Sequence, residues 1–281
     1  MLRTAINLLA LTSMLTVAGA KEIPDLFPEV PVRGRPPVEV GAIQVSIEGR
    51  FVSVEQTDLS EFTFATRRLD DMPPSFEQYL IDGGGQMSFV SSTPQLGAPD
   101  EGWSDMYWCG TYLWGSWCQW MRAFNTDGTQ VGHFDGPESP NRAIARDGVW
   151  WYAARPDGYL WRGQWDAQWG STPVWSSITD HTIPNLTGLA FDTNADALWA
   201  VMSNSLVRQY AKDGGPMLAE LPLLPAYGSP RACCMSNTVA FGYTLAVLHT
   251  SERSGDWLIL YDMSDTPVET VTWASIKAMF R

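Results

Sequence analysis

The sequence lacks several features that would each point to a particular class of protein. It contains only three lysines against 31 acidic residues, and its formal net charge is −13. Because nucleic acid and anionic membranes are bound through clustered positive charge, this composition argues against both partners. Beyond the first twenty residues, no apolar run reaches the ~20 residues that a membrane-spanning helix needs. No long window keeps a helical period either, which disfavours an α/β barrel of this length.

Histidine is also scarce, and the common catalytic motifs are missing. His133, His181 and His249 are scattered, and none has a zinc-binding spacing. The sequence has neither a nucleophile-elbow motif nor a phosphate-binding glycine loop. We therefore predict no metal site and no cofactor. Structural or catalytic calcium or zinc is left open, because a carboxylate site is assembled by the fold.

The first twenty residues have the pattern of a secretory signal peptide. Arg3 supplies a positive start, residues 6–18 are largely apolar, and Ala18-Gly19-Ala20 matches a signal-peptidase site. The alternative is a membrane anchor, but the apolar run is too short to span a bilayer. We expect cleavage after Ala20 and an extracytoplasmic protein, periplasmic or secreted, with no transmembrane segment after cleavage.

The rest of the chain divides into a short arm and one large domain. Residues 21–40 contain five prolines and are predicted to form an extended arm, whereas residues 41–281 are predicted to form a single all-β domain. Between Asn185 and Leu221, three apolar runs separated by Asp, Asn and Gly predict successive antiparallel strands. Similar units lie on both sides. The turns at Asp127 and Asp213 are 86 residues apart, which is two periods of 43. This repeat predicts a β-propeller of about five, possibly six, four-stranded blades.

The strand pattern also predicts where individual blades begin. Residues 42–81 are assigned to a first blade, and Gln86–Ser91 to the inner strand of a second blade, with a long loop from Thr93 to Trp103 inside it. The inner and outer strands of the last blade are placed at 239–241 and 268–271.

The 14 tryptophans divide into repeating and non-repeating positions. Trp108, Trp150 and Trp199 are predicted to occupy equivalent places in second strands and to pack between sheets. The non-repeating tryptophans are candidates for stacking on a carbohydrate: Trp114, Trp117, Trp165, Trp169 and Trp175.

One repeat unit resembles a known group of propellers. Thr187-Gly-Leu-Ala-Phe-Asp, followed by Ala197-Leu-Trp-Ala-Val and Asp213-Gly, is similar to the repeat of the NHL and SMP-30/gluconolactonase-like proteins. The likeness covers about four copies over residues 102–271. It implies a propeller fold, commonly six-bladed in those families, and carries no catalytic set. Lactonase-like members hold a divalent metal with an inward Glu, Asn and Asp, and no such trio can be placed on matching positions here.

The four cysteines are expected to behave as two different pairs. Cys109 and Cys118 are predicted to lie across a hairpin that turns near Leu113, which would allow a disulfide in an oxidising compartment. Cys233 and Cys234 are neighbours on a predicted strand and should point to opposite faces as two buried thiols.

The predicted loops place a candidate binding site on one face of the propeller. Blade-to-blade loops and loops between second and third strands share the face around one channel mouth, and here they carry Arg142, Arg155, Arg231, Arg253, Asn185 and Asn204. Guanidinium groups suit carboxylate and phosphate oxygens, so the hypothesis is a face that captures an anionic group. The alternative is that each arginine pairs with a neighbouring carboxylate and only ties loops together.

Two classes of function stay open. The first is a binding or scaffolding module for a protein, or for an anionic or carbohydrate ligand, at the channel mouth. The second is an extracytoplasmic hydrolase, lactonase- or glycosidase-like, that uses a funnel metal or carboxylates. Because no catalytic constellation is visible, the sequence favours the binding module over the enzyme.

Overall fold

Twenty β-strands, numbered β1 to β20 in chain order, form five four-stranded antiparallel sheets. The structure, a computed structural model, describes residues 38–46, 48–70, 72–82, 85–95, 102–137, 139, 141–154, 158–179, 182–238, 242–251 and 253–264. The only helix among them is a short 3-10 turn, η1 (Pro225–Tyr227), so the described chain contains no helix able to cross a bilayer.

The sheets follow one another along the chain as blades, with one exception at the N-terminus. Blade 1 consists of β2 (Phe51–Asp58), β3 (Glu61–Thr66), β4 (Ser75–Ile81) and β5 (Met87–Pro94). Blade 2 consists of β6 (Asp105–Trp108), β7 (Leu113–Trp117), β8 (Trp120–Phe124) and β9 (Gln130–Asp135). Blade 3 consists of β10 (Ala143–Arg146), β11 (Trp151–Ala154), β12 (Leu160–Gln164) and β13 (Val174–Ser177). Blade 4 consists of β14 (Leu186–Asp192), β15 (Ala197–Met202), β16 (Leu206–Ala211) and β17 (Met217–Pro222). Blade 5 consists of β18 (Ser229–Thr238), β19 (Gly242–Ser251), β20 (Gly255–Asp262) and, as its outer strand, β1 (Glu39–Ser46).

The inner strands of the five blades form a closed ring around a central channel. Each of β2, β6, β10, β14 and β18 contacts the inner strands of the two neighbouring blades, and β18 contacts β2. The ring is completed because β1 pairs with β20, with Ile43 opposite Leu258. Strands from both ends of the described chain therefore share blade 5, which leaves no open gap between the first and last blades. The predicted β-propeller is confirmed, with five blades.

Recurring turn chemistry explains why these segments fold as blades. Asp147 and Asp192 follow or end inner strands, and the Oδ1 of each accepts backbone N–H groups of the next turn, for example from Val149 at 2.9 Å and from Ala195 at 2.7 Å. Cys109 takes this position in blade 2, where its sulfur accepts the N–H of Tyr112. These local bonds close the first hairpins of blades 2, 3 and 4 before any long-range contact is needed.

The predicted turns between third and fourth strands are confirmed. Asp127 lies between β8 and β9, and its Oδ1 accepts the N–H of Thr129 at 2.9 Å. Gly128 and Gly214 both have the left-handed φ that glycine adopts without strain, +79° and +93°. A Cβ atom on Gly214 would lie 2.5 Å from the carbonyl oxygen of Ile178, so the close approach also requires glycine.

The predicted boundaries of the first two blades are wrong. Residues 39–46 belong to blade 5, and Met87–Pro94 is the outer strand of blade 1, paired with β4, rather than the inner strand of blade 2. Period-two alternation predicts a strand but not its neighbours, because pairing is decided across the chain. The long loop after Thr93 therefore lies between blades. The strands predicted at 239–241 and 268–271 lie outside the described residues.

This shift also changes the tryptophan alignment. Trp108 ends the inner strand β6, Trp150 precedes β11, and only Trp199 lies within a second strand, so the three positions are not equivalent. Among the carbohydrate candidates, Trp114 is 2% exposed and packs on Trp151 at 4.7 Å between ring centroids, which leaves it no face for a sugar. Trp165 and Trp175 are half-buried and Trp169 is 39% exposed, while the side chain of Trp117 is outside the description.

The predicted Cys109–Cys118 disulfide is wrong. All four cysteines are among the described residues, and none is in a disulfide. Cys109 precedes β7 and Cys118 follows it, so a five-residue strand of roughly 16 Å separates them. The error arose because the hairpin turn was placed near Leu113, which is the first residue of that strand. Cys233 and Cys234 are both buried in β18 and pack into different core clusters, as predicted for opposite faces.

Candidate functional site

Three arginines lie at the channel mouth where the inner strands begin, and we call this surface the arginine mouth: Arg67, Arg142 and Arg231. Arg142 precedes β10, and Arg231 is the third residue of β18. Arg67 follows β3, and because β3 runs antiparallel to β2, it lies beside the beginning of the inner strand of blade 1. Because the inner strands begin at this mouth, residues that are distant in sequence lie close to one another there.

The arginine mouth holds positive charges close enough to act on one another. Partial burial, reinforced by the positive charges of Arg67 and Arg142, lowers the pKa of Arg231. The Nε of Arg231 donates to Thr250 Oγ1 at 3.2 Å, and Arg67 Nη2 donates to the carbonyl of Gly49 at 2.8 Å. Within the described part of the chain, none of the three arginines forms an ion pair with a carboxylate.

Asp256 is the acidic group that acts on this mouth from inside the protein. Its Oδ2 accepts the backbone N–H groups of Arg50 at 2.7 Å and Phe51 at 3.0 Å, so it joins blade 5 to blade 1. Burial raises the pKa of Asp256 to about 6, against those two hydrogen bonds and the charges of Arg67 and Arg50. Because Asp256 is fully buried and already bonded to backbone, it only partly offsets the charge of Arg231.

Asp256 gives the fold a testable pH dependence. Its carboxyl group ionises near pH 4 in the unfolded chain and near pH 6 in the folded protein, so its stabilising contribution is complete below the unfolded pKa and is lost as the pH rises through the folded pKa. Relative to Asp256→Asn, we expect the wild type to lose about 3 kcal/mol of unfolding free energy between about pH 4 and pH 7. Urea unfolding of both proteins across this range measures the difference. Parallel pH profiles would contradict the assignment.

Three of the other four predicted site residues share this edge, and none of these three makes a described side-chain contact with the arginine mouth. Asn185 precedes β14 with φ +63°, and its carbonyl accepts the N–H of Ser203. Asn204 is exposed in the turn before β16, and Arg253 is exposed in the turn before β20. Arg155 lies outside the described residues.

The structure therefore brings together Arg142 and Arg231 from the predicted set and adds Arg67. The sequence did not predict Arg67 as a site residue, because the first blade was taken to begin with β1 instead of β2. With the correct boundaries, Arg67 falls in the loop between the second and third strands, a class of loop already expected at this mouth.

The opposite end of the channel opens into a cavity of 280 Å³, which we call the axial pocket. Residues from all five inner strands line it, among them Glu55 of β2, Arg146 of β10 and Ser236 of β18. Burial raises the pKa of Glu55, the negative charge of Asp105 adds to this, and a hydrogen bond from the backbone of Trp108 opposes it. The pocket was not predicted from sequence, because these residues carry no motif and converge only through the ring.

Asp105 links three blades at the channel. It is fully buried in β6, and its Oδ2 reaches the backbone N–H groups of Ile144 at 2.9 Å and Leu189 at 3.0 Å in the next two blades. Burial raises the pKa of Asp105, against hydrogen bonds from the backbone. None of the three arginines of the arginine mouth lines the axial pocket, so the two surfaces carry different residues.

The carboxyl groups of Glu55 and Asp105 lie near each other at the channel. Nowhere among the described residues do three or more His, Cys, Asp or Glu side chains gather as a metal site.

Comparisons with known proteins support the fold and leave the family open. No family model matches the chain, and no curated protein matches its sequence. Glutaminyl cyclase from Myxococcus xanthus is similar in structure, with a TM-score of 0.57 over 81% of this chain and 99% of that chain. The two sequences are 8% identical, so the likeness concerns the fold alone. The resemblance to NHL and SMP-30-like proteins is thus supported as a propeller fold, and membership of either family is not confirmed.

Proposed function

We propose that this protein is an extracytoplasmic binding module that captures a carboxylate-bearing ligand at its arginine mouth. The observation that carries the proposal is the convergence of Arg67, Arg142 and Arg231, with no carboxylate paired to them among the described residues. The extracytoplasmic location rests on the signal-peptide pattern at the N-terminus.

Physical chemistry favours an anion at this position. Guanidinium groups that repel one another raise the energy of the unliganded mouth, and a bound carboxylate relieves that repulsion through charge-assisted hydrogen bonds. The planar donor fork of arginine matches the two oxygens of a carboxylate. A positive mouth on a protein with a net charge of −13 also directs an anionic ligand to this surface rather than elsewhere.

Charge-matched variants test the proposal. Binding of an oligogalacturonate and of an oligoglutamate peptide is measured by calorimetry, which distinguishes a carbohydrate ligand from an acidic protein segment. We expect Arg142→Gln and Arg231→Gln each to weaken binding about tenfold, because each removes a charge-assisted contact. Arg253→Gln removes the same charge from the same face and is expected to bind like the wild type.

Two results would contradict this function. The first is the absence of saturable binding to either polyanion at physiological salt. The second is an equal loss of affinity in Arg253→Gln, since that outcome would mean that only the overall charge of the face matters. Melting temperatures of the variants show whether each has kept its fold.

A second candidate is an extracytoplasmic hydrolase that uses a carboxyl group at the channel. It is favoured by Glu55, which lines the axial pocket and whose raised pKa is of the kind that acid–base catalysis requires. The structurally similar Myxococcus xanthus protein, a glutaminyl cyclase, is itself an enzyme. Turnover on a panel of lactones and glycosides, abolished in Glu55→Gln, would favour this candidate, and metal analysis of the purified protein would show whether an ion takes part.

A further inference from the structure

The axial pocket contains polar groups that lack a partner in the described part of the chain. Ser236 is 1% exposed and its Oγ makes no hydrogen bond, and the Nε of Arg146 is buried without an acceptor. Both residues line the cavity. A buried polar group left unpaired costs about 1 to 3 kcal/mol, so a molecule that brought acceptors into the pocket would recover part of this energy.

Arg146 is held in a position suited to a ligand. Its guanidinium carbon lies 5.1 Å from the ring centroid of Trp151, and no described carboxylate pairs with it. Stacking on the indole fixes the guanidinium while leaving N–H donors at its edge. A carboxylate is the group that such a fixed fork binds best.

Glu55 supplies a second polar group to the same cavity. Burial raises the pKa of Tyr107 to about 12, the negative charge of Glu55 adds to this shift, and the positive charge of Arg146 opposes it. The side chains of Glu55 and Arg146 therefore both lie near the Tyr107 ring. Burial raises the pKa of Glu55, which makes the neutral form of its carboxyl group, with an O–H donor, more accessible. The pocket therefore combines the positive group of Arg146 with the carboxyl group of Glu55 and the hydroxyl group of Ser236.

We propose that the axial pocket is a second binding site, for a small organic acid whose carboxylate lies on Arg146 and whose other end offers an oxygen to Glu55 and Ser236. The cavity of 280 Å³ is close to the ~300 Å³ lower limit of ligand pockets and exceeds the ~150 Å³ that accommodates benzene, so it suits a ligand of about ten heavy atoms. Ile144 and Phe191 provide apolar wall between the polar groups. None of the three arginines of the arginine mouth lines this pocket, so the proposal is independent of the function proposed above.

The test uses acids and amides of the same shape. N-acetylglycine and N-acetylleucine carry a carboxylate and an acetyl oxygen, and the corresponding N-acetyl amino-acid amides lack only the charge. Ligand-observed NMR on the full-length protein should show saturable binding of at least one acid, with a dissociation constant of about 1 mM or lower, and about tenfold weaker binding of its amide.

Variants assign the binding to the pocket. Arg146→Gln should weaken binding of the acid about tenfold, and Arg146→Lys, which keeps the charge but not the fork, by a smaller factor. Glu55→Gln keeps a donor and should bind within about threefold of the wild type, whereas Glu55→Leu should be about tenfold weaker. Arg253→Gln, an exposed arginine that lines neither the axial pocket nor the arginine mouth, is the control and should leave this affinity unchanged.

Four outcomes would overturn the proposal. These are equal affinity for acid and amide, unchanged binding in both Arg146 variants, a loss in Arg253→Gln equal to that in Arg146→Gln, and no saturable binding by either acid. Since Arg146 also packs on Trp151, melting temperatures of the two Arg146 variants separate lost binding from lost folding.

Discussion

Replacing Asp105 with alanine should lower the free energy of unfolding by about 4 kcal/mol, because it leaves two buried backbone donors without an acceptor at about 1 to 3 kcal/mol each. The donors are the N–H groups of Ile144 and Leu189, which Asp105 accepts from two other blades. The two N–H groups lie on the inner strands β10 and β14. Asp105 is fully buried between these strands, so water is a poor replacement for its carboxyl group as the hydrogen-bond acceptor.

Asp105→Asn separates this effect from the loss of charge. The asparagine carbonyl can accept the same two N–H groups, and burial already disfavours the ionised form of Asp105. We expect Asp105→Asn to stay within about 1 kcal/mol of the wild type in urea unfolding, close to the size of one ordinary hydrogen bond. If both variants lost the same free energy, the axial hydrogen bonds would not be the reason that Asp105 stabilises the ring.

Replacing Trp114 with alanine should cost about 4 kcal/mol, which is typical of deleting a large aromatic side chain from a core. Trp114 lies between blades 2 and 3, where its ring packs on Phe134 at 5.3 Å and on Trp151 at 4.7 Å between centroids. Denaturant unfolding followed by circular dichroism measures the loss.

Two matched variants control this prediction. Trp114→Phe keeps a ring in the core, and because the indole N–H has no partner among the described residues, it removes no hydrogen bond. We expect it to cost about half as much as Trp114→Ala or less. Trp169→Ala should also cost less, because Trp169 is 39% exposed. A loss in Trp169→Ala as large as that in Trp114→Ala would contradict the assignment of Trp114 as the central ring of this contact.

Much of the fold could be predicted because its strands and turns depend on neighbouring residues. The turns at Asp127 and Asp213 combine a short carboxylate with a glycine that adopts positive φ, and both lie where the repeat placed them. Cys233 and Cys234 point to opposite faces because successive residues of any strand do so.

The candidate site was only partly predictable. Strand polarity alone placed Arg142 and Arg231 at one mouth, and their charges do act on each other. Glu55, Arg146 and Ser236 could not be found in this way, because residues of three different inner strands meet only once the ring has closed.

By itself, the sequence determined the all-β class, the four-stranded repeat and most strand and turn positions, because alternation and turn chemistry act over a few residues. Only the tertiary structure decided which strands share a blade. The pairing of β1 with β20 joins residues more than 200 positions apart, and no local pattern records such a contact. The tertiary structure also decided that Cys109 and Cys118 lie at opposite ends of a strand, and that Asp105 links three blades at the channel. The physical reason is the same in each case: hydrogen bonding and packing between distant segments, rather than local propensity, determine which side chains meet.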